Sequence, residues 1–306
     1  MFNRLLFLFF IPLSLIGTND SLLQVFKKTE LKLQAIEKGF LSKIEKERIE
    51  TNKKYLSAWN EIISNPQIIN YSFDSLKEVS ILVPKDKKFM LITWNLFKDD
   101  GTHAFFGYLL VNNSKRIKKG FLKHETIEAY EHFTLIDQSP LVKSPETYIG
   151  NPGKWFGMLY YSVIPCDGYY TLIGFDPNDK LVSRKFIDVL YFRSNGVPVF
   201  GKDVFKFAKK NPRRLMFEYS ADISMSVKYN EKRGQIIYSH LAPRKEGDIL
   251  EGIPQYYGPD GSFDALELKK GKWVTVEDVD IRKEKTKNDK AKKPDPKEQK
   301  PVYSPK

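Results

Sequence analysis

Residues 87–112, KKFMLITWNLFKDDGTHAFFGYLLVN, decide the fold class. Two apolar runs, Phe89–Phe97 and Ala104–Val111, flank a polar segment that contains Asp100-Gly101. Apolar runs of strand length on either side of an Asp-Gly pair form a β-hairpin, because this pair accepts the backbone angles that a tight turn requires. The same pattern continues downstream. KWFGMLYYSVIP (154–165), GYYTLIGF (168–175) and LVSRKFIDVLYF (181–192) read as a meander with turns at Pro165–Gly168 and Asp176–Asp179. RRLMFEYS (213–220), SMSVKYN (224–230) and QIIYSHL (235–241) add three strands, and FDALELKKGKWVTV (263–276) adds a hairpin around Lys270-Gly271.

About a dozen short strands joined by polar turns predict a mainly β chain, in which 67–281 forms an antiparallel sandwich or barrel-like domain. A small propeller is the alternative, disfavoured because no clean repeat of about 40 residues recurs. The stretch 113–153, with Pro140, Pro145, Gly150 and Pro152, reads as irregular, holding a loop or a short helix.

Upstream of the strands the periodicity changes. Leu22, Phe26, Leu33, Ile36, Phe40 and Ile44 recur at near-helical spacing, with Asn19, Asp20 and Ser21 available as an N-cap. EKERIETNKK (45–54) has one apolar residue in ten and reads as a solvated middle. Tyr55, Trp59, Ile62 and Ile63 then restore an apolar face before Asn65-Pro66 ends the helix. Residues 18–66 are therefore expected to form one or two helices, whose packing onto the chain's own β domain outweighs a partner-binding role.

The two ends differ from the body. Arg4 precedes a twelve-residue apolar run, Leu5–Ile16, too short to span a bilayer comfortably. It reads as a secretory signal peptide over 1–17, which predicts a periplasmic or secreted protein with no transmembrane span in the mature chain. Residues 282–306 carry ten Lys/Arg against four Asp/Glu, so half of the net charge of +12 sits there, with four prolines and no apolar cluster. Such a segment cannot bury enough apolar surface to offset its ordering entropy, and it is expected to be a disordered basic tail. An anionic envelope surface is the partner that its charge admits, against the plainer role of a solvated, solubilising tail. Nucleic acid is not expected, since 40 of the 50 basic residues are Lys and bidentate phosphate or base contacts favour Arg.

Candidate chemistry is sparse. His124, Glu128 and His132 are spaced i, i+4, i+8 and would share one face of a helix. Two turns of helix, however, separate the outer imidazoles by roughly 12 Å, too far to share a metal. Cys166 is the single cysteine. It falls in a turn beside Asp167, which would disfavour the thiolate that catalysis needs, so it is expected to be structural. Asp176-Pro177-Asn178-Asp179 and Gly258-Pro259-Asp260-Gly261 offer oxygen ligands, but Asp and Asn are also what turns demand, and the turn reading outweighs calcium. Glu218 and Asp222 are a carboxylate pair of the kind a glycosidase places across a cleft, a weak signal in a chain with 38 acidic residues. Tyr256, Tyr257 and Trp273 could stack a sugar, although core or hairpin packing accounts for them more simply. Gly-x-Ser-x-Gly, Walker and His-Glu-x-x-His motifs do not occur. No cofactor, metal or catalytic residue is assigned.

The segments KWFGMLYYSVIP, GYYTLIGFDPNDKLVSRKFIDVL, MFEYS and YYGPDGSFDALELKKGKWVTVEDVDIR, spanning about 154–282, resemble a group of exported bacterial proteins of unknown function. The resemblance rests on aromatics, glycines and turns. It implies an exported, all-β protein and brings no site residues with it. The sequence therefore favours a non-enzymatic envelope protein with a binding or structural role. An envelope hydrolase with a fold-assembled carboxylate site is the alternative, and a nucleic-acid binder ranks below both.

Overall fold

The computed structural model describes residues 16–118, 124–207, 211–244 and 250–282. The expected leader and tail lie outside them except for Ile16, Gly17 and Arg282. Helix α1 (Ile16–Glu37) runs through a short 3-10 turn at Lys38–Leu41 into α2 (Glu45–Asn60). Strand β1 (Ser80–Leu82), β2 (Phe89–Phe97), β3 (His103–Asn112) and β6 (Tyr130–Ile136) form a first sheet in the order β1-β2-β3-β6. A separate hairpin, β4 (Lys115–Lys118) and β5 (His124–Ile127), leaves its edge. The second sheet has the path β10-β9-β8-β7, from β7 (Leu159–Cys166), β8 (Tyr169–Asp176), β9 (Val182–Phe192) and β10 (Pro198–Phe200). It also includes β12 (Leu215–Ser220), which pairs with β9. The third sheet has the order β11-β16-β15-β14-β13, from β11 (Phe205–Lys206), β13 (Val227–Asn230), β14 (Gln235–Pro243), β15 (Tyr257–Lys269) and β16 (Lys272–Val276). All pairings are antiparallel except β11 with β16.

The chain is mainly β, as its sequence predicts, with the helices first, and the sheets do not close into a barrel. They stack. Alternation along β2 explains how: Phe89 and Leu91 face a cluster shared with Leu172, Phe186 and Leu190 of the second sheet. Met90, Ile92 and Trp94 point the other way, into a cluster with Phe26, Leu33, Tyr55 and Trp59 of the helices. In the second sheet Leu172 and Phe186 face the first, while Ile173, Ile187 and Val189 face Ile236, Leu266 and Trp273 of the third. The result is four layers, helices on sheet on sheet on sheet. An antiparallel strand normally alternates because one face is wet. Here β2 and β8 are covered on both faces, which is why their sequences are nearly continuously apolar.

One local expectation holds only in part and two are corrected. EKERIETNKK is exposed along most of its length, as expected of a solvated middle, but not all round. It begins α2, and Arg48, Thr51 and Asn52 are buried. Arg48 donates to Phe97 O, Ser42 O and Asp99 Oδ1, which fastens the start of α2 to the β2–β3 turn. Gly39 makes the corner possible, since a Cβ there would land inside the Thr51 side chain. HETIEAYEH is not helical either: it supplies β5 and the start of β6, and 113–153 contributes three strands besides two short 3-10 turns. Finally, Gly258–Gly261 is no free turn but part of β15, where Asp260–Ser262 bow out opposite the single residue His240. No helix among the described residues is long and apolar enough to cross a membrane.

Candidate functional site

A strongly charged concavity lies at one edge of the third sheet. The β15–β16 hairpin closes through Lys270 (φ 50°) and Gly271 (φ 74°), two successive left-handed residues, as a tight hairpin turn requires. The register sets Lys269 directly opposite Lys272, and β11, running parallel to β16, places Lys206 beside Val274. These four lysines and Val274 line an open groove of about 590 Å³. Lys269 pairs with Glu267 at 2.9 Å and Lys272 approaches Asp203 at 3.6 Å. Among the described residues no carboxylate is paired with Lys206 or Lys270. Like charges directly opposed on a hairpin destabilise it, so two cations in excess of their acids leave a site that an anion would relieve. Lysine presents point charges on flexible stems, which suits diffuse anionic surfaces better than bidentate recognition of one group.

The residues singled out in the sequence fare differently. His124 lies opposite Lys118 in the β4–β5 hairpin and His132 opposite Leu110 in the first sheet, so the two belong to separate sheets. No group of three His, Cys, Asp or Glu among the described residues could hold a metal ion. Cys166 ends β7, with Sγ near Ile164 O and Thr171 Oγ1, neither of them a base. Its thiol is pushed up by burial, rather than by Asp167 as the sequence suggested. Asp176–Asp179 is a turn. Asn178 takes φ 56°, and Asp179 Oδ1 accepts from the backbone N–H groups of Leu181 and Val182. Of the three aromatics, Trp273 is buried and donates from Nε1 to Thr171 Oγ1, Tyr257 accepts from Gly252 N, and Tyr256 is exposed.

Glu218 is not paired with Asp222. Across the second sheet Asp176, Arg184 and Glu218 stand side by side on β8, β9 and β12. Arg184 Nε donates to Glu218 Oε1 at 2.8 Å, and its Nη1 lies 3.7 Å from Asp176 Oδ2. Burial pushes the Asp176 carboxyl up to about 6. Asp137 adds to this, while the Asn178 N–H and Arg184 pull the other way. The sequence hid this trio because it is set by strand order, with Arg184 34 residues from Glu218. The native state thus holds the Asp176 proton more tightly than the unfolded chain does. The stability it contributes is full below about pH 4 and lost as pH rises through about 6, up to about 3 kcal/mol. Urea unfolding from pH 4 to 7 should therefore show a fall that Asp176→Asn removes. A variant that is less stable than the parent at pH 7 would mean that the Arg184 attraction outweighs burial.

A second cluster, which no sequence pattern announced, is sealed inside. Arg214, Asp188, Tyr160 and Trp155 are all fully buried. Arg214 Nε donates to Asp188 Oδ1 at 3.0 Å, Tyr160 Oη donates to Asp188 Oδ2 at 2.7 Å, and Trp155 Nε1 donates to Tyr160 Oη at 3.3 Å. Burial, with Asp188 beside it, pushes the Tyr160 phenol well above its ordinary value. The four are closed to solvent, which makes this a structural device rather than a reaction site. No protein-family model, curated protein or solved structure matches the chain.

Proposed function

We propose that this is an exported, non-enzymatic protein of the cell envelope that holds to an anionic membrane surface through the lysine groove of its third sheet. The observation that carries the reading is the convergence of Lys206, Lys269, Lys270 and Lys272 on one open groove with two acids to balance them. The basic composition of 282–306 follows in sequence a few residues after β16 and adds charge of the same sign. A basic residue near an anionic lipid surface contributes about 1 kcal/mol. Four of them with a basic tail suffice for reversible attachment at low salt. Carboxylate catalysis has less support: Glu218 is engaged by Arg184.

Co-sedimentation with vesicles tests this. Binding to vesicles containing phosphatidylglycerol, but not to phosphatidylcholine alone, is expected, and it should weaken steeply between 0.05 and 0.5 M salt as charges are screened. Replacing the four groove lysines with Gln should lower the partition by close to a thousandfold at low salt, on about 1 kcal/mol per residue. Equal binding to both vesicles, or a quadruple variant that binds as the parent does, would overturn the proposal.

A further inference from the structure

A cleft of about 430 Å³ enters the cluster between the helices and the first sheet, bounded by β1 and by residues 69–76. Alternation along β1 supplies one wall. Val79, Ile81 and Val83 line the cleft, while Ser80 and Leu82 turn the other way. Ser80 Oγ donates to Tyr160 O, and Leu82 packs between the first two sheets. The other wall is a strap from which Tyr71, Phe73 and Leu76 face the cleft. Two carboxylates of α1 hold this strap. Glu30 accepts from Ser75 N–H, Ser75 Oγ and Tyr71 Oη. Glu37, two helical turns further on, accepts from the backbone N–H groups of Lys77 and Glu78. Both acids are more than nine-tenths buried, so the wall is fixed before anything enters. A preformed cleft of this size, apolar with a few polar groups at set points, has the character of a small-molecule site.

The polar groups at the rim are unequal. Lys87 closes the turn between β1 and β2, its N–H donating to Pro84 O at 2.9 Å, and it takes φ 52°. Few residues with a side chain adopt that left-handed backbone, and here it holds a lysine at the rim of the cleft. Lys87 Nζ donates to Asn70 Oδ1 at 2.6 Å. An ammonium has three donors, so two remain. Among the described residues no carboxylate is paired with Lys87. Asp86, beside it in the chain, accepts from Lys88 N and Tyr170 Oη. Asp74, on the strap, accepts from Ser72 Oγ and makes that side of the rim negative. An anionic group entering the cleft is therefore turned away from the strap rim and seated at Lys87.

We propose that the cleft binds a fatty acid, with its chain lying between β1 and the strap and its carboxylate on Lys87 Nζ. One apolar chain with one anionic end matches apolar walls with one unpaired cation. A neutral chain would leave the ammonium unanswered, and a cationic head would meet it as a like charge. The cleft belongs to the helix-facing side of the first sheet, whereas the lysine groove belongs to the third. Binding here does not depend on the membrane reading.

Calorimetric titration of the folded full-length protein with decanoate, below its micelle concentration, tests this. A single molecule should bind per chain. Hexanoate should bind at least about tenfold more weakly, because each buried methylene is worth roughly fourfold. Decanol, which lacks the charged head, should bind about fivefold more weakly than decanoate or worse. Lys87→Gly removes the ammonium and suits left-handed backbone better than lysine does, so this variant should melt like the parent. It should lose about fivefold or more in decanoate affinity and keep its affinity for decanol. Ile81→Trp should fill the cleft and abolish binding in a variant that still folds. No binding, indifference to chain length, or unchanged decanoate affinity in Lys87→Gly would overturn the proposal. So would loss of binding in the variant without the four groove lysines, since that would place the fatty acid on the third sheet. The chain-length series and Lys87→Gly decide the matter even where Ile81→Trp does not fold.

Discussion

Replacing Asp188 with Ala should destabilise the protein by about 3–5 kcal/mol, the penalty for leaving one member of a buried ion pair without its counter-charge. Arg214 is fully buried, and its Nη2 has no hydrogen-bond partner even in the intact protein. Its Nε relies on Asp188, its Nη1 donates to Pro145 O, and the rings of Phe156 and Tyr148 flank the guanidinium. Removing Asp188 therefore strands a cation that has no route to water, and it also takes the acceptor from Tyr160 Oη. Arg214→Met alone should cost a comparable amount, because it strands the carboxylate instead. The double variant Asp188→Leu, Arg214→Met should be more stable than either single one, since the pair's own net worth is small once both desolvation costs disappear. Denaturant unfolding of the four proteins measures this cycle. Additive losses would show that the two residues act through separate packing rather than through each other.

The pairing of Arg214 with Asp188, 26 residues apart, shows where reading by sequence stops. The hairpin at 87–112 was legible because its signal is local: two apolar runs and an Asp-Gly turn become β2 and β3 with nine residues in register. The meander and the hairpin at Lys270-Gly271 were legible for the same reason. The pairing of β9 with β12, which brings Glu218 to Arg184, spans a gap that holds β10 and β11, and no local pattern encodes it. Short edge elements such as β1 and β10 were also missed, since three residues are too few to show a period. The amphipathic test found the exposed side of 45–54 but not its buried one, because it counts apolar residues and the buried stripe here is Arg48, Thr51 and Asn52. The groove is half legible. Lys269, Lys270 and Lys272 are adjacent in sequence, but Lys206 joins them only through the parallel β11–β16 pairing.

Those buried polar residues of α2 are the basis of the second large effect. Trp94→Ala should cost about 3–5 kcal/mol, the range for deleting a large aromatic from a packed core. Trp94 is fully buried on the helix-facing side of β2, with ring contacts to Tyr55 of α2 and to Phe106 and Tyr108 of β3. Its Nε1 donates to Asn52 Oδ1 at 2.8 Å, so one side chain supplies both the apolar contact and the polar latch between helix and sheet. Truncation leaves a cavity and a buried Asn52 carbonyl without a donor. Trp94→Phe separates the two effects: it keeps most of the ring and loses the N–H, and should cost about 1–3 kcal/mol, the penalty for an orphaned buried acceptor. Because the helices meet the first sheet here, hydrogen exchange should quicken first in α2, while β14 and β15 of the third sheet keep their protection. Equal loss of protection in α2 and in β15 would instead make the four layers one cooperative unit, in which a latch broken at one end is felt at the other.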